Sequence, residues 1–307
     1  MGKGWLVHDY LTCIPNTRTL WHDLLEWLPG LVDKCNNGSL LDLPTHLNES
    51  FKSEPEPDYI IRNASYWPNY TFSKSKVISL LQDVRNEKDL IEMQKEVCNN
   101  SEKVIAVSNY VKEKYKNLIN NEIEILPIGV DFDFFKPVDV KEDMGILPNS
   151  ILWVGDYNDY PKGFDILKNI ILNSDFNFCI VLKSNKIIDH PRVKTFNRIS
   201  HNELLKVINQ CKMVLCTSKE ETLHLASIEA AACNLPVVTS NVGIHYNIES
   251  GIWGENIKTN NYEYFIEGIE KVFKNYLTYK SRNYFIERNS INTLKSKWKK
   301  IINDITY

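Results

Sequence analysis

Met213-Val214-Leu215-Cys216, followed by Ser218-Lys219-Glu220-Glu221-Thr222-Leu223-His224-Leu225-Ala226-Ser227-Ile228-Glu229-Ala230-Ala231-Ala232, is the stretch that decides the fold. The first four residues form an apolar run, as expected of a strand buried on both faces. An Ala-rich helix follows, from Leu225 to about Cys233. Glu221 then lies in a strand-to-helix loop at the C-terminal edge of a sheet, where open α/β sheets bind ligands. Glu229 sits about one turn inside the helix, flanked by Ile228, Ala230 and Ala231. A carboxylate in such surroundings needs hydrogen-bond partners, and sugar or ribose hydroxyls supply them. The amides of Thr222, Leu223, His224 and Leu225 open the helix and favour anionic oxygen, such as a diphosphate. A plainer alternative is a solvated glutamate pair on an exposed helix face.

The same strand-and-helix rhythm runs outward in both directions. Strands are expected at 5–10, 58–62, 76–82, 103–108 and 122–128, and again at 151–154, 176–182, 193–196, 213–216 and 236–239. Helices are expected at 18–28, 89–98, 109–118, 163–172, 202–211 and 225–233, with Ser108-Asn109 as an N-cap signal. Alternation of this kind implies a parallel sheet covered on both faces. It occurs twice, so two α/β lobes are expected. We place the domains at 1–135, 136–280 and 281–307, the last being terminal helices that cross back to the first lobe.

Composition narrows the function classes. Hydrophobic residues make up 43% and charged residues 24%, which suits a globular core and excludes a disordered chain. The net charge of -3 provides no global field for nucleic acid. No apolar run approaches the ~20 residues of a membrane helix. Met1 to Tyr10 does not read as a signal peptide, so a cytoplasmic protein, at most peripheral to a membrane, is expected. The seven cysteines lack ligand spacing, so neither zinc nor a disulfide framework is expected.

Three segments together resemble the retaining glycosyltransferases of the GT-B fold, in particular the large family four group. That family carries two glutamates eight residues apart ahead of Pro-Val-Val. Here Ser218, Glu221, Glu229, Ala230, Ala232, Pro236, Val237 and Val238 fall in register, followed by Ser240-Asn241-Val242-Gly243. Val104 to Lys112, Ile125 to Asp131 and Phe135-Lys136-Pro137 are similar to the family's last N-lobe strand and its crossing. Leu152-Trp153-Val154-Gly155 and Lys162-Gly163-Phe164-Asp165 look like the first strand and phosphate loop of the donor lobe.

The resemblance implies an α/β protein of GT-B type, two Rossmann-like lobes with a donor cleft between them. It implies transfer of a sugar from a nucleoside diphosphate sugar, UDP- or GDP-linked, to an acceptor hydroxyl with retained configuration and no obligatory metal or other cofactor. Glu229 would hold the ribose, Glu221 the sugar hydroxyls and Lys162 the phosphate, with Gly155, Thr222, Leu223, His224, Leu225 and Lys183 lining the donor. The plainer alternative for Lys162 is an exposed surface lysine.

The chain departs from the family in ways that bear on this. Asp156 stands where the family has the arginine that neutralises the diphosphate. Thr222-Leu223-His224 replace Gly-Phe-Gly, Asn234 replaces a glycine and tolerates left-handed geometry, and Asn247 replaces an acid. In the first lobe the usual Gly-Gly is absent from the loop Leu11 to Thr19. Thr17, Arg18 and Thr19 there could donate to phosphate or sugar, or Thr17 could cap the next helix. Asp83, after another strand, is a candidate for the acid that contacts the donor sugar. The basic residues from Lys271 to Lys300 read as the solvated face of helices or as a membrane-facing surface. The acceptor (glycan, lipid-linked glycan, protein or nucleic acid) and the oligomeric state stay open. Two alternatives also stay open: a nucleotide-sugar epimerase of the same fold, and a nucleotide-sugar-binding protein with lost or changed catalysis, which Asp156 favours.

Overall fold

A computed structural model of the chain describes residues 4–8, 34–37, 58–64, 74–158 and 160–306. It divides into two compact units, residues 1–129 with 291–307, and residues 130–290. Each contains a six-stranded sheet. In the first, β1 (Gly4–His8), β2 (Lys34–Asn37), β3 (Tyr59–Asn63), β4 (Lys76–Leu81), β5 (Lys103–Ala106) and β6 (Ile123–Ile125) lie in the order β2-β1-β3-β4-β5-β6. Every pairing is parallel. Helices α1 (Lys88–Asn99) and α2 (Asn109–Tyr115) connect the later strands. Ser108 caps α2 through its side chain, which accepts from the Val111 amide at 3.3 Å.

The second unit holds β7 (Ile151–Gly155), α3 (Phe164–Leu172), β8 (Phe178–Leu182), β9 (Val193–Asn197), α4 (His201–Gln210) and β10 (Met213–Cys216). Then come α5 (Leu225–Ala232), β11 (Val237–Ser240), β12 (Gly254–Ile257), α6 (Tyr262–Lys274) and α7 (Ser281–Asn289). All pairings are again parallel, in the order β12-β11-β10-β7-β8-β9. Counted from β7, this is the Rossmann order, with its reversal between β7 and β10. Helix α8 (Ile291–Thr306) returns to the first unit and buries Leu294, Trp298, Ile301 and Ile302.

The periodicity reading misses β2 and β12. Both are polar: Lys34-Cys35-Asn36-Asn37 and Gly254-Glu255-Asn256-Ile257 lack the apolar run that marks the other strands. Each lies at an edge of its sheet, paired on one side only. The unit boundaries also differ from 135/136 and 280/281. Val130, Phe132 and Phe135 pack into the core of the second unit, as does Phe285 of α7. Arg282 ties these segments together by donating to the carbonyls of Phe132 and Phe135, each at 2.9 Å. Gly129 and Ile291 mark the crossings, and they lie so close that a Cβ on Gly129 would stand 3.0 Å from the Ile291 Cα. The expected helix at 18–28 lies outside the described residues.

Candidate functional site

At the sheet reversal of the second unit, the loop after β7 and the loop after β10 meet at the C-terminal edge of the sheet, the place where open α/β sheets bind ligands. The first loop passes through a 3-10 turn at Tyr160–Lys162 into Gly163, and the second runs from Thr217 to His224. They are laced together. Thr217 Oγ1 donates to the carbonyls of Gly163 at 2.9 Å and Lys162 at 3.1 Å, and accepts from Trp153 Nε1 at 3.0 Å. The Lys219 amide donates to the Pro161 carbonyl at 2.7 Å. Gly163 has φ +66, and a Cβ there would lie 1.9 Å from the Thr217 carbonyl oxygen. Only glycine permits this approach.

The lacing brings two sequence candidates together across 59 residues: Lys162 Nζ donates to Glu221 Oε2. Both side chains are largely covered, at 24% and 15% exposure. Burial pushes the Glu221 carboxyl up, but the Lys162 ammonium, His224 and the Thr222 amide together hold it below the ordinary carboxylate range. The Thr222 amide donates to Glu221 Oε1 at 3.2 Å, so the carboxylate already occupies one of the loop amides expected to face a ligand.

Leu223 is buried, and its carbonyl accepts from the Ile244 amide at 3.2 Å. His224 takes φ +69 and forms the N-cap position of α5. It is buried, with Nδ1 lying 3.3 Å from the Cys216 thiol. Burial and the Lys162 ammonium hold its imidazole down at about 4. Leu225 begins α5, and Glu229 lies half-buried five positions into it. Asn234 adopts φ +65, as its place after the helix requires of a residue standing for glycine.

Gly155 ends β7 against the Trp153 ring, 2.4 Å from where its Cβ would be, so the β7 edge is stripped to backbone. Asp156 follows, and its Oδ1 is buried with no partner among the described residues. Lys183, just past β8, is exposed, and its carbonyl accepts from Arg198 Nε at 2.8 Å. Asp83 lies in the first unit, beyond β4, with Arg85 Nη2 at 3.4 Å from its Oδ2. Arg18 lies outside the described residues.

Sequence reasoning missed two members of this region, Ser227 and His245. Ser227 Oγ lies 2.7 Å from His245 Nε2, and both residues are fully buried. The only sequence signal was polarity within apolar surroundings, and nothing there linked the two.

Residues 183–290 match the family model described as glycosyl transferases group 1. An uncharacterized glycosyltransferase of Methanocaldococcus jannaschii is 31% identical over 168 residues, covering 48% of this chain and 43% of that protein. In yeast, Saccharomyces cerevisiae, the GPI3 component of phosphatidylinositol N-acetylglucosaminyltransferase is 29% identical over 167 residues, 47% of this chain and 36% of that protein. The matched stretch spans less than half the length of these curated relatives. Among solved structures, sucrose-phosphate synthase from Thermosynechococcus elongatus aligns with TM-score 0.80 at 13% identity, over 99% of both chains. The Anabaena protein HepE in complex with UDP-glucose aligns with TM-score 0.79 at 12% identity, over 99% of this chain and 100% of that one.

Proposed function

Because residues 183–290 carry the glycosyl transferases group 1 domain and the units have the GT-B fold, we propose that this chain moves a sugar from a nucleoside diphosphate sugar to an acceptor hydroxyl with retained configuration. The observation that carries the reading is the Lys162–Glu221 pair at the sheet reversal, four residues before the start of α5. A cation and a carboxylate side by side suit the two halves of a bound donor. Lys162 meets the diphosphate as a point charge. Glu221 accepts from sugar hydroxyls, and Glu229, further along α5, accepts from the ribose. Upon donor binding, the phosphate replaces Glu221 as the partner of Lys162, while the sugar replaces Lys162 as the partner of Glu221. Each thus has a hydrogen-bond partner with and without ligand.

As the bond from anomeric carbon to phosphate oxygen breaks, negative charge grows on the leaving diphosphate. Lys162 and the first amides of α5 are fixed where that charge develops, the arrangement that stabilises a transition state over a ground state. The acceptor hydroxyl attacks the anomeric carbon on the face the diphosphate leaves, and its proton passes to the departing phosphate oxygen. The reading requires no divalent cation. It also suits a reducing compartment such as the cytoplasm, since Cys98, Cys179, Cys211, Cys216 and Cys233 are free thiols.

Thermal-shift screening against UDP-, GDP-, ADP- and CDP-sugars, followed by turnover with and without acceptors, tests the reading, since a selective ligand stabilises by mass action. A protein stabilised by a donor but inert toward every acceptor is a binding protein. Activity is expected to persist in excess EDTA; abolition with rescue by magnesium or manganese would overturn the metal-free mechanism. Glu229→Ala is expected to weaken donor binding by ~2–3 kcal/mol, the scale of a hydrogen bond to a charged group, with the fold retained. Unchanged affinity in calorimetry would remove the ribose from Glu229.

A further inference from the structure

The donor loop Glu221 to Leu225 is braced from behind by a second turn, at Gly243–His245 after β11. Gly243 has φ +58 and sits against the Leu223 backbone, its would-be Cβ 3.0 Å from the Leu223 carbonyl oxygen. The Ile244 amide donates to that carbonyl. His245 lies beneath, stacked on Trp253 at 5.1 Å between centroids and met edge-on by Phe285 at 5.8 Å.

Protons in this brace can be assigned by counting. Ser227 Oγ donates its one hydrogen to the His224 carbonyl at 2.7 Å. It must therefore accept from His245, which fixes the hydrogen on Nε2. Nδ1 is left bare, with no partner among the described residues, in a fully buried ring. Burial and neighbouring His224 hold this imidazole neutral. The His224 carbonyl thus receives the Ser227 hydroxyl at 2.7 Å and the Ser227 amide at 3.2 Å. These two bonds hold a non-glycine residue in left-handed backbone, which ordinarily costs ~1–2 kcal/mol. The turn at His224 is what aims the first amides of α5.

We propose that His245 and Ser227 are positioning residues of the donor site: the relay from His245 Nε2 through Ser227 Oγ to the His224 carbonyl sets the opening of α5 that receives the donor phosphates. The inference rests on the donor reading above. An apolar pair would fill the same space. What the polar pair adds is a hydrogen bond of fixed direction onto the one carbonyl whose orientation decides where the amides point. The unsatisfied Nδ1 is the buried cost of that arrangement.

The test compares a nucleoside with its diphosphate, using the base that the wild type binds, by calorimetry. His245→Phe keeps a ring against Trp253 but loses the donor, Ser227→Ala loses the relay, and His245→Gln keeps an N–H at the Nε2 position. His245→Phe and Ser227→Ala are each expected to weaken diphosphate binding ~10-fold, the lower range for one hydrogen bond to a charged group, with nucleoside binding unchanged. His245→Gln is expected to stay within about 2-fold of wild type, since the donor is kept. Parallel loss of nucleoside and diphosphate would mean a merely structural pair, and wild-type diphosphate affinity in Ser227→Ala would mean no relay; either overturns the proposal. If His245→Phe does not fold, Ser227→Ala decides by the same measure, since it removes one oxygen from an Ala-rich helix. A wild type that binds no nucleoside diphosphate overturns the donor reading itself, and the relay with it.

Discussion

Lys162→Ala is expected to lower kcat by on the order of 10²-fold or more, the range seen when one preorganised donor is removed from a developing anion. The argument starts from Asp156. Where the family resemblance implies an arginine next to the diphosphate, this chain has Asp156, a carboxylate whose Oδ1 is buried, with no partner among the described residues. Lys162 then carries more of the leaving-group charge, and its loss falls mainly on kcat, because the interaction strengthens as the charge grows. The loss also reaches stability. Glu221 is only 15% exposed and would keep its burial without its cation. Breaking a fully buried pair costs ~3–5 kcal/mol, and the partial exposure here brings that to ~1–3 kcal/mol. Lys162→Met combined with Glu221→Gln is therefore expected to be more stable than Lys162→Met alone in denaturant titration. Asp156→Arg is expected to be tolerated or to raise the rate. A kcat near wild type for Lys162→Ala would mean that another cation serves, with Arg18 and Lys183 the first to examine.

Acid is expected to destabilise the second unit well before its carboxylates are neutralised. His245 and His224 are held neutral at about 3 and about 4, chiefly by burial. An unfolded histidine titrates at ~6.5. Both folded values are depressed, so between them and ~6.5 the unfolded chain binds protons that the native unit refuses. Stability is full above ~6.5 and falls as pH drops, by ~1.4 kcal/mol per pH unit for each histidine. At pH 5 the loss is ~2 kcal/mol each, about 4 kcal/mol together. Glu221, also held low, adds to the loss only below its unfolded value. Denaturant midpoints from pH 7.5 to 4.5 measure this, and His245→Phe should remove about half of the slope. A flat profile between pH 7 and 5 would show that neither ring is buried neutral.

Much of the second unit could be read from the chain. The apolar runs of β7, β8, β10 and β11 and the Ala-rich α5 are local signals, since full burial on both faces selects Val, Ile and Leu without interruption. The glutamate spacing and the left-handed Asn234 were legible for a similar reason, each being a matter of geometry within a few residues, whereas the need for glycine at 163 comes from the Thr217 carbonyl far along the chain. Strands β2 and β12 were not legible, because neither carries an apolar run and only pairing with β1 and β11 makes them strands. The place of α7 was not legible either, since a mostly polar helix is assigned by what its one core residue, Phe285, packs against.

The sequence by itself determined that two parallel α/β units exist and singled out Glu221 and Glu229, because periodicity and spacing are properties of the chain; Lys162 entered through the family resemblance. Only the tertiary structure decided which of these meet. Parallel strands pair through long crossovers, so their order is not written in any local stretch. It is the reversal between β7 and β10 that sets Lys162 against Glu221 from 59 residues away. Likewise it is the seating of the Gly243–His245 turn beneath α5 that sets His245 on Ser227. A hydrogen bond needs its partners within about 3 Å, and that proximity exists only once the sheet has closed around it.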